Sequence, residues 1–140
     1  MKIVSACLAG IRCAYDGKHR KNKEILELVK KGEAIPVCPE QLGGLPTPRI
    51  PSERKGQLVV NRNGKDVTCY FERGAEEALK IAKIVKCDCA ILKSRSPSCG
   101  IGKIYDGNFS NTLITGNGVF ADLLIEEDIE VISGEKFQLG

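Results

Sequence analysis

With 140 residues, 42% of them hydrophobic and 28% charged, the chain has the size and composition of one globular domain with a proper core, expected to span residues 1–140. A net charge of +3 permits a nucleic-acid partner without arguing for one. No apolar run approaches the ~18 residues of a membrane span, and the N-terminus lacks the pattern of a signal peptide, so a cytoplasmic protein without membrane contact is expected.

Lys2 to Cys7 reads as a short apolar strand, followed by a loop with a turn signal at Asp16-Gly17 and a basic run of Lys18, His19, Arg20, Lys21 and Lys23. Asn22 is placed to cap a helix whose apolar positions Ile25, Leu28 and Val29 keep helical spacing, and Gly32 sits where such a helix would stop. Ala34 to Cys38 is a second strand. Strand, helix, strand at this length predicts a parallel βαβ unit.

The stretch from Val37 to Glu53 holds most of the chain's prolines, together with Gly43 and Gly44. Neither a long helix nor a central strand can run through it, so it is read as a stiff, site-forming loop carrying Cys38-Pro39-Glu40. In an extended segment, Glu40 would share a face with Cys38. Gln57 to Val60 and Asp66 to Phe71, on either side of Asn63-Gly64, predict a β-hairpin. Glu72 to Val85 has the clearest helical periodicity, Cys87 to Leu92 is a buried strand, and Lys93 to Gly100 is a polar loop. Lys103 to Leu113 has weak strand character, a helix opens near Gly118, and Ile129 to Ile132 closes the pattern. The fold class expected is a single Rossmann-like α/β domain: a mostly parallel sheet flanked by helices, with a β-hairpin excursion.

Seven cysteines, an odd number without an export signal, disfavour a disulfide framework and favour free thiols, metal ligation or catalysis. Cys7, Cys38 and Cys99 each lie at or just beyond the C-terminal end of a predicted strand, the edge at which open parallel sheets bind ligands. Cys13 lies in the loop after Cys7 and is a reserve ligand. Cys87 and Cys89 enter their strand from the opposite edge, and Cys69 belongs to the predicted hairpin; these three read as packing or inert thiols. No standard zinc spacing such as CxxC occurs, so spacing alone leaves a shared metal site and core packing both open.

Four stretches carry a resemblance that goes further: Val4-Ser-Ala-Cys-Leu8 with Tyr15-Asp-Gly17, the run from Cys38 to Glu53, Lys93 to Gly100, and Gly118-Val-Phe-Ala121. Together they resemble domain-of-unknown-function family 523, which includes a thiouracil desulfidase. The resemblance implies a hydrolase-type enzyme in which three cysteines hold a [4Fe–4S] cluster and one iron stays free for the substrate's sulfur. Carried over by motif, the ligands are Cys7, Cys38 and Cys99, and the catalytic pair is Glu40 and Ser96. Tyr15, Asp16 and Arg49 are candidate substrate contacts. Members often have arginine before Tyr-Asp-Gly, where this chain has Ala14.

The implied substrate is a thiolated nucleobase or nucleotide, with sulfide as product. Two other readings compete with it: a cluster-free persulfide carrier using Cys13, Cys38 or Cys99, and a binding module for thiolated RNA using the basic run. Arg49 and Glu53 could equally pin the proline loop by ion pairing. Asp16-Gly17 is foremost a turn, and His19 a solvated side chain.

Overall fold

The computed structural model describes residues 1–137. Four short strands, β1 (Lys2–Ser5), β2 (Ala34–Val37), β5 (Cys89–Leu92) and β8 (Glu130–Ser133), form one sheet in the order β2-β1-β5-β8. Every pairing in it is parallel, with Val4 facing Pro36 on one side and Ile91 on the other. Pro36 is tolerated because β2 is an edge strand.

Alternation along the strands sorts the core into two layers. Ile3, Ala90 and Leu92 pack with Ala75, Ala78 and Leu79 of helix α3 (Thr68–Ile84) and with Phe120 and Leu124 of helix α4 (Val119–Glu126). Val4, Cys89 and Ile91 face the other way, onto Ile25 and Leu28 of helix α1 (Lys23–Lys30). Burying each large side chain of this kind contributes roughly 1.5–3 kcal/mol. Asn22 caps α1 as its position suggested, its Oδ1 accepting the N–H groups of Glu24 and Ile25. No described helix is long and apolar enough to cross a membrane.

Two expectations are corrected. The hairpin is formed by β3 (Ser52–Lys55) and β4 (Leu58–Asn61), turning at Gly56, rather than around Asn63-Gly64. The residues after that turn enter α3 at Thr68, so Cys69 lies exposed on a helix. Asp66 decides this locally, because its Oδ1 accepts the Thr68 N–H at 2.9 Å, and Phe71 then packs on Val59 and Val67. Of the expected pairing, only the bridge between Val60 and Asp66 remains.

The proline stretch also holds one turn of helix, α2 (Pro39–Leu42), with Cys38 as the residue before it. Pro39 suits a first helical position, where a missing N–H costs nothing. The weak segment resolves into a separate two-stranded ribbon, β6 (Lys103–Tyr105) with β7 (Leu113–Thr115).

Candidate active site

Strand order reverses between β1 and β5, and the loops leaving the C-terminal ends of β1, β2 and β5 meet there. β1 ends at Ser5 and gives way to a 3₁₀ turn, Ala6–Ala9, which carries Cys7. Cys38 directly follows β2, and Cys99 lies in the loop after β5. All three line one cavity of about 350 Å³, and Cys13, 1% exposed, lines it too. The three strand ends that the sequence singled out therefore meet at one cavity, and the reserve cysteine lies there with them.

Backbone contacts hold these loops against the helices. A Cβ on Gly43 would lie 1.9 Å from the Tyr70 carbonyl oxygen, and one on Gly74 would lie 1.8 Å from that of Pro39. Glycine at both positions lets α2 rest directly on α3, which fixes Cys38 and Glu40 from behind. Gly118 serves the third loop in the same way, since a Cβ there would lie 2.3–2.6 Å from backbone atoms of Ser98 and Cys99. The first N–H groups of α4 donate to the carbonyls of Pro97 and Ser98, so the loop caps the helix that supports it.

Glu40 reaches the cavity from the first turn of α2, rather than from an extended segment. Its Oε1 accepts from Arg49 Nε at 3.0 Å and its Oε2 from Ser98 Oγ at 2.9 Å. Arg49 is only 6% exposed along its side chain, and it also donates to the Cys13 carbonyl at 2.9 Å and to Thr47 Oγ1 at 2.9 Å. Arg49 thus pins the proline loop while bordering the cavity. Glu53, also on the cavity wall, accepts the Gly107 and Phe109 N–H groups at 3.0 Å and so holds the loop after β6.

The thiols differ in their protonation. Hydrogen bonding from Cys13 draws the Cys38 thiol down to about 7, against burial and the Glu40 charge, and it draws Cys7 down as well, against burial and the Cys38 charge. Cys13 is held protonated by those same two contacts. Burial pushes Cys99 up to about 12, although a hydrogen bond from Ser5 works against it. Lys93 and Arg62 add positive charge to the wall, and neither has a carboxylate partner among the described residues.

Ser96 lines the cavity, but its Oγ accepts the N–H groups of Ser98 and Cys99 at 3.1 and 3.0 Å. It is Ser98 that touches Glu40. Nothing in the run Ser-Pro-Ser separates the two hydroxyls by sequence, because turn geometry decides which one faces the carboxylate. Tyr15 lies on the cavity wall, whereas Asp16 is not part of it and pairs with Arg20, which is, at 2.9 Å. His19 accepts from the Lys21 N–H outside the cavity.

Among the described residues, no three His, Cys, Asp or Glu side chains close on a single metal ion. The thiols are spread around a cavity instead, a donor set suited to a multi-atom iron–sulfur group rather than to one ion.

Thiols ringing a cavity, with an ion-paired carboxylate and two hydroxyls on its wall, define a cysteine-lined centre at the switch point of a parallel α/β sheet. The family model described as 2-thiouracil desulfurase matches residues 3–136, and the chain belongs to that family. The solved structure of TudS, a [4Fe–4S]-dependent thiouracil desulfidase of DUF523, is similar over 96% of this chain and 91% of its own, at 44% identity and a TM-score of 0.92. The uncharacterized protein YbbK of Bacillus subtilis (strain 168) is 43% identical over 95% of each chain. The resemblance read from the motifs therefore holds along nearly the whole chain.

Proposed function

We propose that this protein is a non-redox desulfidase, converting a thiouracil-like base and water into the oxo base and sulfide, with Cys7, Cys38 and Cys99 holding a [4Fe–4S] cluster. The convergence of these three thiols with ion-paired Glu40 in one cavity carries the reading. Bound there, such a cluster supplies an iron without a protein ligand, a Lewis acid for a thiocarbonyl sulfur.

The chain's own residues do the rest. Glu40, held on one oxygen by Arg49 and on the other by Ser98, keeps lone pairs for the proton of an attacking water. Ser96 closes the wall beside it, and Tyr15 borders the entrance as a face for the ring. Cys13, buried on the same cavity wall, stands as the reserve ligand. Lys93 and Arg62 support a nucleotide as readily as a free base.

The test is anaerobic purification with iron, acid-labile sulfide and uracil formation from 2-thiouracil measured together. Cys7→Ser, Cys38→Ser and Cys99→Ser are each expected to abolish cluster and turnover, while Cys87→Ser keeps both. Wild-type protein that binds no iron after reconstitution overturns the proposal.

A further inference from the structure

We infer that Ser98 is a positioning residue, whose hydroxyl fixes Glu40 relative to the loop that carries Ser96 and Cys99. The inference rests on the desulfidase reading above and concerns how its base is held.

Ser98 is 2% exposed, and its Oγ lies 2.9 Å from Glu40 Oε2, 2.9 Å from Ser96 Oγ and 3.6 Å from Cys99 Sγ. Among the described residues, no other side-chain hydrogen bond joins Glu40 to the loop after β5. The protons in this chain of contacts have one consistent direction. Glu40, as the anion of an ion pair, only accepts, so Ser98 donates to it. With its single proton spent there, Ser98 accepts from Ser96. Ser96 in turn accepts the N–H groups of Ser98 and Cys99, so a directed chain runs from the backbone through two hydroxyls to the carboxylate.

The geometry has a mechanical consequence. Arg49 grips Oε1 from the proline loop and Ser98 grips Oε2 from the loop after β5, which fixes the terminal torsion of a side chain that otherwise rotates freely. Without Ser98 the carboxylate keeps its ion pair but loses its aim. A base misplaced by a fraction of an ångström loses rate rather than substrate affinity.

Four proteins, wild type, Ser98→Ala, Glu40→Gln and the double variant, are compared as loaded enzyme, with iron content and visible spectrum recorded for each. Ser98→Ala is expected to lower kcat by about 10- to 100-fold, to keep KM within about two-fold, and to leave iron and spectrum unchanged. The double variant is expected to be no slower than Glu40→Gln alone, because Ser98 acts through that carboxylate. Ser98→Cys, close in size but a weak donor, behaves like alanine.

Wild-type kcat in Ser98→Ala overturns the inference. So does multiplication of the two losses in the double variant, and so does loss of iron in Ser98→Ala, which would place the serine's role at Cys99. Failure of the desulfidase reading itself looks different: wild type without turnover, or Glu40→Gln at full rate, whatever Ser98 does.

Discussion

Cysteines occupy both edges of the parallel sheet, and Cys7 and Cys38 at one edge are treated in the opposite way from Cys87 and Cys89 at the other. At the C-terminal edge, Cys38 and Cys7 face a cavity, and hydrogen bonding from Cys13 draws their thiols toward ionisation. At the N-terminal edge, Cys87 donates to the Cys89 carbonyl at 3.2 Å, and burial is the largest influence on both thiols, raising them. A strand of β5's length separates the edges by only ~10 Å. Local hydrogen bonding, rather than the edge alone, sets which thiols ionise, because burial raises Cys99 at the C-terminal edge as well.

Alkylation of the metal-free protein gives the widest contrast. At pH 7 about half of Cys38 is thiolate, whereas Cys87, raised above its ordinary 9.0, is about 1% ionised or less. Site-resolved mass spectrometry is expected to show Cys38 reacting several-fold faster, because the lower thiol also makes a weaker nucleophile, with a rate that rises with pH around a midpoint near 7. The Cys87 rate should still be climbing beyond pH 9, in line with its raised thiol. Equal midpoints at the two edges would erase the distinction.

Gly118→Ala tests what holds the functional edge in place. Its Cβ would press on the Ser98 and Cys99 backbone, so a loss of about 1–3 kcal/mol in unfolding free energy is expected, together with reduced iron loading. A stable variant with full loading would mean that the loop after β5 has slack. The smallest effect belongs to the other edge. Cys87→Ser is expected to change stability by less than about 1 kcal/mol, measured by denaturant unfolding, and a larger loss would give that edge a structural role it lacks here.

What the sequence made legible follows from the same geometry. The apolar runs Lys2 to Cys7, Ala34 to Cys38 and Cys87 to Leu92 end within two residues of the observed strand ends, and they put Cys7, Cys38 and Cys99 on one edge without any spacing motif. The run from Asp66 to Phe71 misled because its β-branched and aromatic residues suit a strand, while Phe71, Ala75, Ala78 and Leu79 extend a helical stripe through it. Packing on Val59 and Val67 decides for the helix. The roles of Ser96 and Ser98 were not separable, since both lie in one turn and only its three-dimensional course aims Ser98 at Glu40. Gly118 reads in sequence as a helix start; its need to admit the Ser98 backbone is visible only across the fold.

Arg49 joins segments that are far apart in the chain: its side chain ends on Glu40 of α2, on Thr47 of its own loop and on the Cys13 carbonyl, and its N–H donates to the Tyr15 carbonyl. These contacts make the cavity wall one cooperative unit. Moving either the Cys13 loop or the proline loop alone would break Arg49 contacts to the other, so the two loops are mechanically coupled through one side chain.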